Sequence, residues 1–106
     1  MNRAISHPAI ATMRRHASTA EAMLKQLANA KRLMILCSLV TGEKRVGELA
    51  SLVGLSSSAL SQHLAKMREA GLVDCDKRGQ HVHYRICNME AQALLSTLYL
   101  IYCKSK

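Results

Sequence analysis

The sequence predicts a mainly α-helical domain with five helices and one β-hairpin, which lies between the fourth and the fifth helix. Three observations predict this fold class. Apolar residues recur at helical spacing in five stretches of the chain. After Gly71, apolar residues recur at every second position, which is the spacing of a β-strand. The length of 106 residues, 49% of them hydrophobic and 21% charged, fits one folded domain, and its core is aliphatic because Phe and Trp are absent.

The N-terminal part of the chain predicts an arm followed by a helix. Residues 1–17 show no helical repeat, so we expect a flexible basic arm there, with the folded domain spanning residues 18–106. Ser18 and Glu21 have the spacing of a capping box, which predicts that helix 1 runs from about residue 19 to residue 29. The apolar residues of this helix are Ala20, Met23, Leu24 and Leu27.

Three further helices are predicted from their apolar stripes and from the residues at their ends. Helix 2 ends before Gly42 and the short helix 3 before Gly54, because glycine suits the left-handed backbone after a helix. Ser56 can cap helix 4, which spans about residues 57–70 and is closed by Gly71. The stripes are Leu33, Leu36, Cys37 and Val40 in helix 2, Val46, Leu49, Ala50 and Val53 in helix 3, and Leu60, Leu64 and Met67 in helix 4.

The C-terminal part predicts the hairpin and the last helix. Leu72 and Val73 begin one strand, residues 76–80 form a polar turn, and the second strand alternates apolar and polar residues up to Ile86. Asn88 can cap helix 5. The apolar stripe of that helix is Ala91, Leu94, Leu95, Leu98, Ile101 and Tyr102.

The charge balance favours a polyanionic partner. Fifteen Lys and Arg residues against seven Asp and Glu give a formal charge of +8, which attracts nucleic acid and, on charge alone, also an anionic membrane surface. No segment approaches the roughly 20 apolar residues of a membrane span, and the N-terminus lacks the order of a secretory signal. The four cysteines form no C-x-x-C pair. We therefore expect a cytoplasmic protein without permanent disulfides, and no membrane partner.

The order of the elements predicts a winged helix-turn-helix. Helices 3 and 4 are short, are separated by the turn at residues 53–56, and are followed at once by the hairpin, which is the wing. Small residues on the outward face of helix 4 would let it enter a major groove, and Gln62 can pair bidentately with adenine. Ser, Gln and Lys are also ordinary surface residues, so this helix taken alone fits a solvated face equally well.

The candidate DNA contacts lie in and before helix 4 and on the hairpin. Hydroxyl, amide and basic side chains are the groups that bind phosphates and base edges. His63 has two interpretations, a DNA contact or a position at the edge of the core. The candidates are Ser56, Ser57, Ser58, Ser61, Gln62, His63, Lys66 and Arg68 at helix 4, and Lys77, Arg78 and His81 on the wing.

From about residue 18 onward the sequence resembles the ArsR/SmtB family of bacterial repressors. The resemblance is carried by Gly47-Glu48-Leu49-Ala50, Gly54-Leu55-Ser56, Leu60-Ser61-Gln62-His63-Leu64 and Gly71-Leu72-Val73, and the segment from Leu55 to Leu64 is the most specific. It implies a homodimer built from the first and last helices, which presents two fourth helices to a roughly palindromic operator in double-stranded DNA. It also implies repression by blocking a promoter.

The metal sites common in that family are missing here, so no metal or other cofactor is predicted. The C-x-C position on helix 3 is occupied by Ala50, Ser51 and Leu52, and residues 88–102 contain no Asp or His. A soft metal site on the hairpin remains an alternative, formed by Cys75 with His81 and His83.

Cys37 and Cys103 match the dithiol of the HlyU, BigR and SqrR branch of the family. Their contexts are Ile35-Leu36-Cys37 and Tyr102-Cys103. The resemblance implies that thiols on the second and last helices sense persulfides or oxidants. We hypothesise that the reduced form binds DNA and that a disulfide or polysulfide bridge releases it. Apart from the resemblance, Cys37 fits an inert core thiol and Cys103 a frayed terminal residue.

Two other regulatory functions remain in competition with a thiol switch. One is a metal-sensing repressor, and the other is an HlyU-like anti-silencing DNA binder without a switch. An enzyme is not predicted, because no Cys and His stand at a fixed catalytic spacing.

Overall fold

The structure is a computed structural model, and it describes residues 7–104. Within these residues, five helices and three strands follow one another, and the predicted five helices and hairpin are confirmed. The hairpin formed by β2 and β3, residues 73–86, is called the wing below. The elements are α1 (His7–Leu27), α2 (Ala30–Leu39), β1 (Lys44–Arg45), α3 (Val46–Val53), α4 (Ser57–Glu69), β2 (Val73–Arg78), β3 (His81–Ile86) and α5 (Met89–Tyr102).

The first helix begins earlier than the sequence predicts. Residues 7–17, which we expected to form a flexible arm, are the first half of α1, and residues 1–6 of that arm lie outside the described residues. Pro8 lies in the first turn, where its missing N–H is no loss. Ser18 and Glu21 therefore lie inside the helix and form no capping box at its start. The helical start carries no core-facing stripe, which is why the apolar pattern missed it.

Side chains cap three of the helices at their N-termini. The Oδ1 atom of Asn29 accepts from the backbone N–H of Arg32 at 3.1 Å, which starts α2 directly after α1. Ser56 Oγ accepts from Ala59 N–H at 3.1 Å at the start of α4. The caps predicted at Ser56 and Asn88 are confirmed, the latter by a 2.9 Å bond from the N–H of Ala91. Each such cap stabilises its helix by about 1 kcal/mol.

The sheet is antiparallel and has the strand order β1-β3-β2. The wing closes through a two-residue turn in which Gly79 has a φ of +63°, a backbone conformation that favours glycine. β1 was not predicted, because a strand of two residues is too short to show alternation. It pairs with the middle of β3, where Lys44 faces Tyr84 and Arg45 faces His83.

The core lies between α2, α3, α4, α5 and the base of the wing. It is aliphatic, as predicted, and the described residues include no buried polar or charged side chain. Replacing one of its fully buried leucines with alanine would lower the free energy of unfolding by about 2–5 kcal/mol. The buried residues are Leu27, Ile35, Leu36, Leu39, Leu49, Ala50, Leu60, Leu64, Met67, Leu72, Val73, Ala91 and Leu95.

Within residues 7–104, helix α1 packs against the rest of the domain only near its C-terminus. Leu27 is 4% exposed and Met23 is partly buried against the core, whereas apolar side chains in the N-terminal part of α1 are exposed to solvent. Helix α5 likewise buries one stripe and exposes Leu100 and Ile101. A single chain therefore leaves apolar faces of α1 and α5 uncovered.

Candidate functional site

Helix α4 is fixed to the core by one face and open to solvent on the other. Leu60, Leu64 and Met67 are all 0% exposed and anchor the helix through their side chains. Its start is set by the Ser56 cap, and the left-handed Gly71 with φ +78° follows its end. The rigid anchoring gives the opposite face a defined orientation.

The outward face of α4 carries most of the predicted DNA contacts. His63 is half-buried, so it lies at the edge of the core as well as at the edge of this face. The remaining candidates on and before the helix share one property, which is an exposed side chain available to a ligand. They are Ser56, Ser57, Ser58, Ser61, Gln62, Lys66 and Arg68.

One face of the wing turns toward α4. Tyr84 lies beside Ala65 and Arg68 of that helix, and its cross-strand partner Cys75 shares its sheet face. Burial raises the pKa of Tyr84, and the neighbouring Cys75 raises it further. Lys77 stands on the same face, two residues nearer the tip, and it is exposed. Its side chain therefore leaves the wing on the face that is turned toward α4.

Arg78 is exposed near the tip of the wing, but its guanidinium is engaged by carboxylates. Its Nη1 and Nη2 donate to Glu43 at 2.6 and 2.8 Å, and its Nε donates to Asp76 at 2.8 Å. These hydrogen bonds raise the pKa of Arg78, and the hydrogen bond from Arg78 lowers the pKa of Glu43. The predicted phosphate contact by Arg78 thus starts from a side chain that already has anionic partners.

Two residues near this surface were not among the sequence candidates. Arg45 Nη1 lies 3.5 Å from the Nε2 of His81, because β1 pairs with β3 and brings the start of α3 next to the wing. Glu43 is the carboxylate that binds Arg78. The Lys44-Arg45 pair just before an amphipathic helix was the available signal for Arg45, whereas nothing local in the sequence identifies Glu43.

Cys37 lies in α2 and Cys103 directly follows the last residue of α5, and these two helices pack against each other. Cys37 is half-buried, and Cys103 is exposed. Burial raises the pKa of Cys37, and the negative charge of the Cys103 thiolate raises it further. The two thiols are thus electrostatic neighbours although 66 positions separate them in the sequence, from 37 to 103. Both are free thiols.

The alternative metal site on the hairpin is contradicted by the strand register. Cys75 pairs with Tyr84, whereas His83 pairs with Asp76 and His81 with Arg78, so Cys75 points to the sheet face opposite both histidines. Across residues 7–104, no group of three or more His, Cys, Asp or Glu side chains is arranged to hold a metal ion. Of the helices described, none combines the length and the apolar character needed to cross a membrane.

A short helix-turn-helix with an open, small-residue face and a basic hairpin beside it defines the winged helix-turn-helix class of DNA-binding proteins. Residues 23–74 match the family model described as bacterial regulatory protein, arsR family. The chain belongs to this family, and its relatives are named as transcriptional regulators rather than enzymes.

Two relatives illustrate the similarity. The transcriptional activator HlyU of Vibrio cholerae is 44% identical over 93 residues, which cover 88% of this chain and 86% of the relative. The biofilm growth-associated repressor of Xylella fastidiosa strain Temecula1 is 35% identical over 99 residues, which cover 93% of this chain and 87% of the relative. The family thus includes an activator and a repressor that align along most of this chain.

Solved structures agree with this assignment. HlyU from Vibrio vulnificus superposes with a TM-score of 0.84 at 42% identity, over 89% of this chain and 98% of that one. Reduced HlyU from Vibrio cholerae gives a TM-score of 0.80 at 44% identity, over 88% and 98%. A homodimeric winged helix-turn-helix domain from Mycobacterium bovis gives 0.68 at 29% identity, over 82% and 83%.

Proposed function

We propose that this chain is a homodimeric transcriptional repressor that binds operator DNA with its thiols reduced and releases the DNA when Cys37 and Cys103 become bridged. The observation that carries the proposal is the placement of Cys37 in α2 and of Cys103 at the end of α5, two helices that pack against each other. After burial, the charge of Cys103 is the second cause that raises the pKa of Cys37. The name of the Xylella fastidiosa relative supports repression. The sensing of reactive sulfur rests on the thiol pair itself.

The uncovered apolar faces of α1 and α5 support dimerisation. A groove between the two helices is lined on one side by Met23 and Leu24 and on the other by Ala93 and Leu94. Leu24 is 54% exposed and belongs to this contiguous apolar groove, and contiguous exposed apolar surface marks an interaction site. The Mycobacterium bovis structure is described as homodimeric. A symmetric dimer would place two α4 helices on one face of the assembly.

DNA recognition follows from the geometry of that face. Two α4 helices related by a twofold axis would enter successive major grooves, so the operator is roughly palindromic. Gln62 lies on the exposed face of α4 and can read adenine with its amide. Lys66, Arg68 and Lys77 are exposed and would contact backbone phosphates, which sets the register.

Because the two thiols differ in exposure, they should react one after the other with a persulfide such as glutathione persulfide. The exposed Cys103 meets the reagent first, and its thiolate takes the outer sulfur while glutathione leaves as a thiol. The Cys37 thiolate then attacks the Sγ atom of Cys103 in this persulfide, which forms the Cys37–Cys103 disulfide and releases the outer sulfur as hydrogen sulfide. If Cys37 carries a persulfide sulfur of its own, the same step leaves a three-sulfur bridge and again releases hydrogen sulfide.

Such a bridge would change the distance between α2 and α5. Helix α2 packs on α3, the first helix of the DNA-binding unit, and α5 carries part of the proposed dimer interface. Packed interfaces of this kind switch between discrete arrangements rather than deform continuously. A shift of α2 against α5 would therefore alter the spacing and orientation of the two α4 helices, and the DNA would be released.

The test is DNA binding to the fragment upstream of the protein's own gene, measured with reduced protein and after treatment with glutathione persulfide. Intact-mass analysis and peptide mapping follow the thiols. We expect loss of binding together with a Cys37–Cys103 crosslink, and C37S and C103S variants that bind DNA but keep it after treatment. The matched control is C75S/C87S, which leaves the pair intact and should respond like the wild type. Retained release in both single variants would refute the switch.

A second candidate function is an anti-silencing DNA binder without a switch. The observation that favours it is the 44% identity to a protein named as a transcriptional activator, HlyU. The same experiment separates the two functions. Full DNA binding by protein that carries the Cys37–Cys103 crosslink would support the unswitched binder.

A further inference from the structure

A chain of ion pairs on the outer face of the sheet connects the wing to the segment that follows α2. We call it the wing tie, and its members are Glu43, Asp76, Arg78 and Arg85. Glu43 binds Arg78 through both carboxylate oxygens at 2.6 and 2.8 Å. Asp76 accepts from Arg78 Nε at 2.8 Å and from Arg85 Nη1 at 2.7 Å. Arg85 also lies 3.9 Å from Glu43, which closes the chain of charges.

The tie leaves little of Arg78 free for another anion. A guanidinium has five N–H donors in a fixed fork, and Nε, Nη1 and Nη2 of Arg78 all donate to a carboxylate in this arrangement. Its single positive charge stands against two negative ones, on Glu43 and Asp76. The geometry is that of a structural ion pair rather than of a side chain waiting for phosphate.

The outer half of the wing needs such a contact. β1 pairs with β3 only at Tyr84 and His83, so the part of the hairpin nearer the tip has no neighbouring strand. Two strands alone are marginally stable in water. The bond from Glu43 to Arg78 joins that outer part to the body of the domain across 35 positions of sequence.

We infer that Glu43 is a positioning residue for DNA binding: through Arg78 it holds the wing at a fixed angle to the domain and so sets where Lys77 meets the DNA backbone. The inference rests on the proposed DNA contact of the wing and is independent of the thiol switch. In this arrangement Arg78 is a support for the wing rather than one of its phosphate ligands.

The sign of one substitution tests the inference. A carboxylate near DNA repels the phosphates, so its removal should strengthen binding if it has no other role. Glu69, exposed at the end of α4, is the matched control, because E69Q and E43Q remove the same charge. We expect E69Q to bind as tightly as the wild type or tighter, and E43Q to bind about three- to fivefold more weakly, the range of a surface ion pair.

Arg78 gives a second, independent readout. R78K keeps the positive charge but cannot hold both oxygens of a carboxylate in a planar fork. If Arg78 supports the wing, R78K should weaken DNA binding as E43Q does. The double variant E43Q/R78K should then bind DNA no more weakly than either single variant. Amide hydrogen exchange across residues 73–86 of the free proteins should speed up in E43Q and R78K but not in E69Q.

Two results would overturn the inference. One is tighter binding by E43Q, equal to that of E69Q. The other is additive losses in the double variant with unchanged exchange in the wing. The K77A variant distinguishes this failure from a wider one. If K77A binds like the wild type, the proposed wing contact itself is wrong and the role of Glu43 falls with it. If K77A binds DNA more weakly than the wild type while E43Q binds it more tightly, only the positioning role of Glu43 is wrong.

Discussion

Asp76 and Arg85 are joined diagonally across the wing, with Arg85 Nη1 2.7 Å from Asp76 Oδ1. Asp76 on β2 is opposite His83 in the strand register, and Arg85 is two residues further along β3. Hydrogen bonds from Arg78 and then from Arg85 hold the pKa of Asp76 well below its ordinary value of 3.8. The carboxylate therefore favours the folded state only while it is ionised.

The depressed pKa of Asp76 predicts how stability depends on pH. Because the folded pKa lies below the unfolded one, the contribution is fully present above pH 3.8 and is lost as the pH falls through the folded value. We expect D76N to have a lower Tm than the wild type near neutrality, and the difference to vanish in strong acid. Thermal unfolding across that pH range is the measurement. A Tm difference that stayed constant with pH would contradict the assignment.

Substitution of Gln62 should affect recognition of sequence. If its amide reads adenine, Q62A should weaken binding to the operator by about 1–3 kcal/mol and leave binding to random DNA unchanged. Titrations of both DNAs at the same salt concentration measure the difference. An equal loss on the two DNAs would show that Gln62 contacts the backbone or only supports the fold.

Substitution of Lys77 should affect all DNA sequences alike. A phosphate contact carries no sequence information, so K77A should weaken operator and random DNA by the same factor. The slope of log K against log salt concentration should fall by about one, because one fewer counterion is released. An unchanged salt slope would place Lys77 outside the interface.

The two thiols should differ in their reactivity. Cys37 is half-buried with a raised pKa, whereas Cys103 is exposed, and the thiolate is the reactive form. We expect C37S to accumulate a persulfide or a glutathione adduct on Cys103, and C103S to react much more slowly. Time-resolved intact-mass analysis follows both variants. Equal rates would show that burial does not protect Cys37.

Leu24 and Leu52 provide a matched pair for the proposed dimer interface. They are 54% and 56% exposed, on α1 and α3 respectively, so both can be changed without opening the core. Of these two residues, only Leu24 lies in the groove between α1 and α5. L24E should therefore raise the Kd of the dimer more than about tenfold, because a charge would be buried in an apolar contact. L52E should not change the sedimentation behaviour. Similar dimer strength in both variants would move the interface elsewhere.

The sequence predicted those parts of the fold that depend on local chemistry. Ser56 and Asn88 cap their helices, and Gly71 takes the left-handed conformation between α4 and the wing, because each needs only its nearest neighbours along the chain. The stripe of Leu60, Leu64 and Met67 also follows from spacing alone. These features are enough to locate α4 and its outward face.

The parts that were missed depend on distant partners or on faces that stay open within one chain. The start of α1 shows no core-facing stripe, because its apolar residues are exposed and pack on no other element of the described part of the chain. β1 exists only because β3 lies beside it. The contact of Glu43 with Arg78 joins positions 43 and 78, and no local pattern reports a pair at that separation.

The sparse packing of helix α1 on its own domain makes its order sensitive to protein concentration. Only its last turns rest on the body of its own chain, and a helix of 21 residues with little packing is marginal in water. In the proposed dimer, its order would be set by mass action with a second copy, so it would depend on protein concentration. On dilution, α1 should lose helicity before the rest of the domain unfolds. In the proposed dimer, a fall in protein concentration alone would therefore separate the protomers and loosen α1, without any chemical signal.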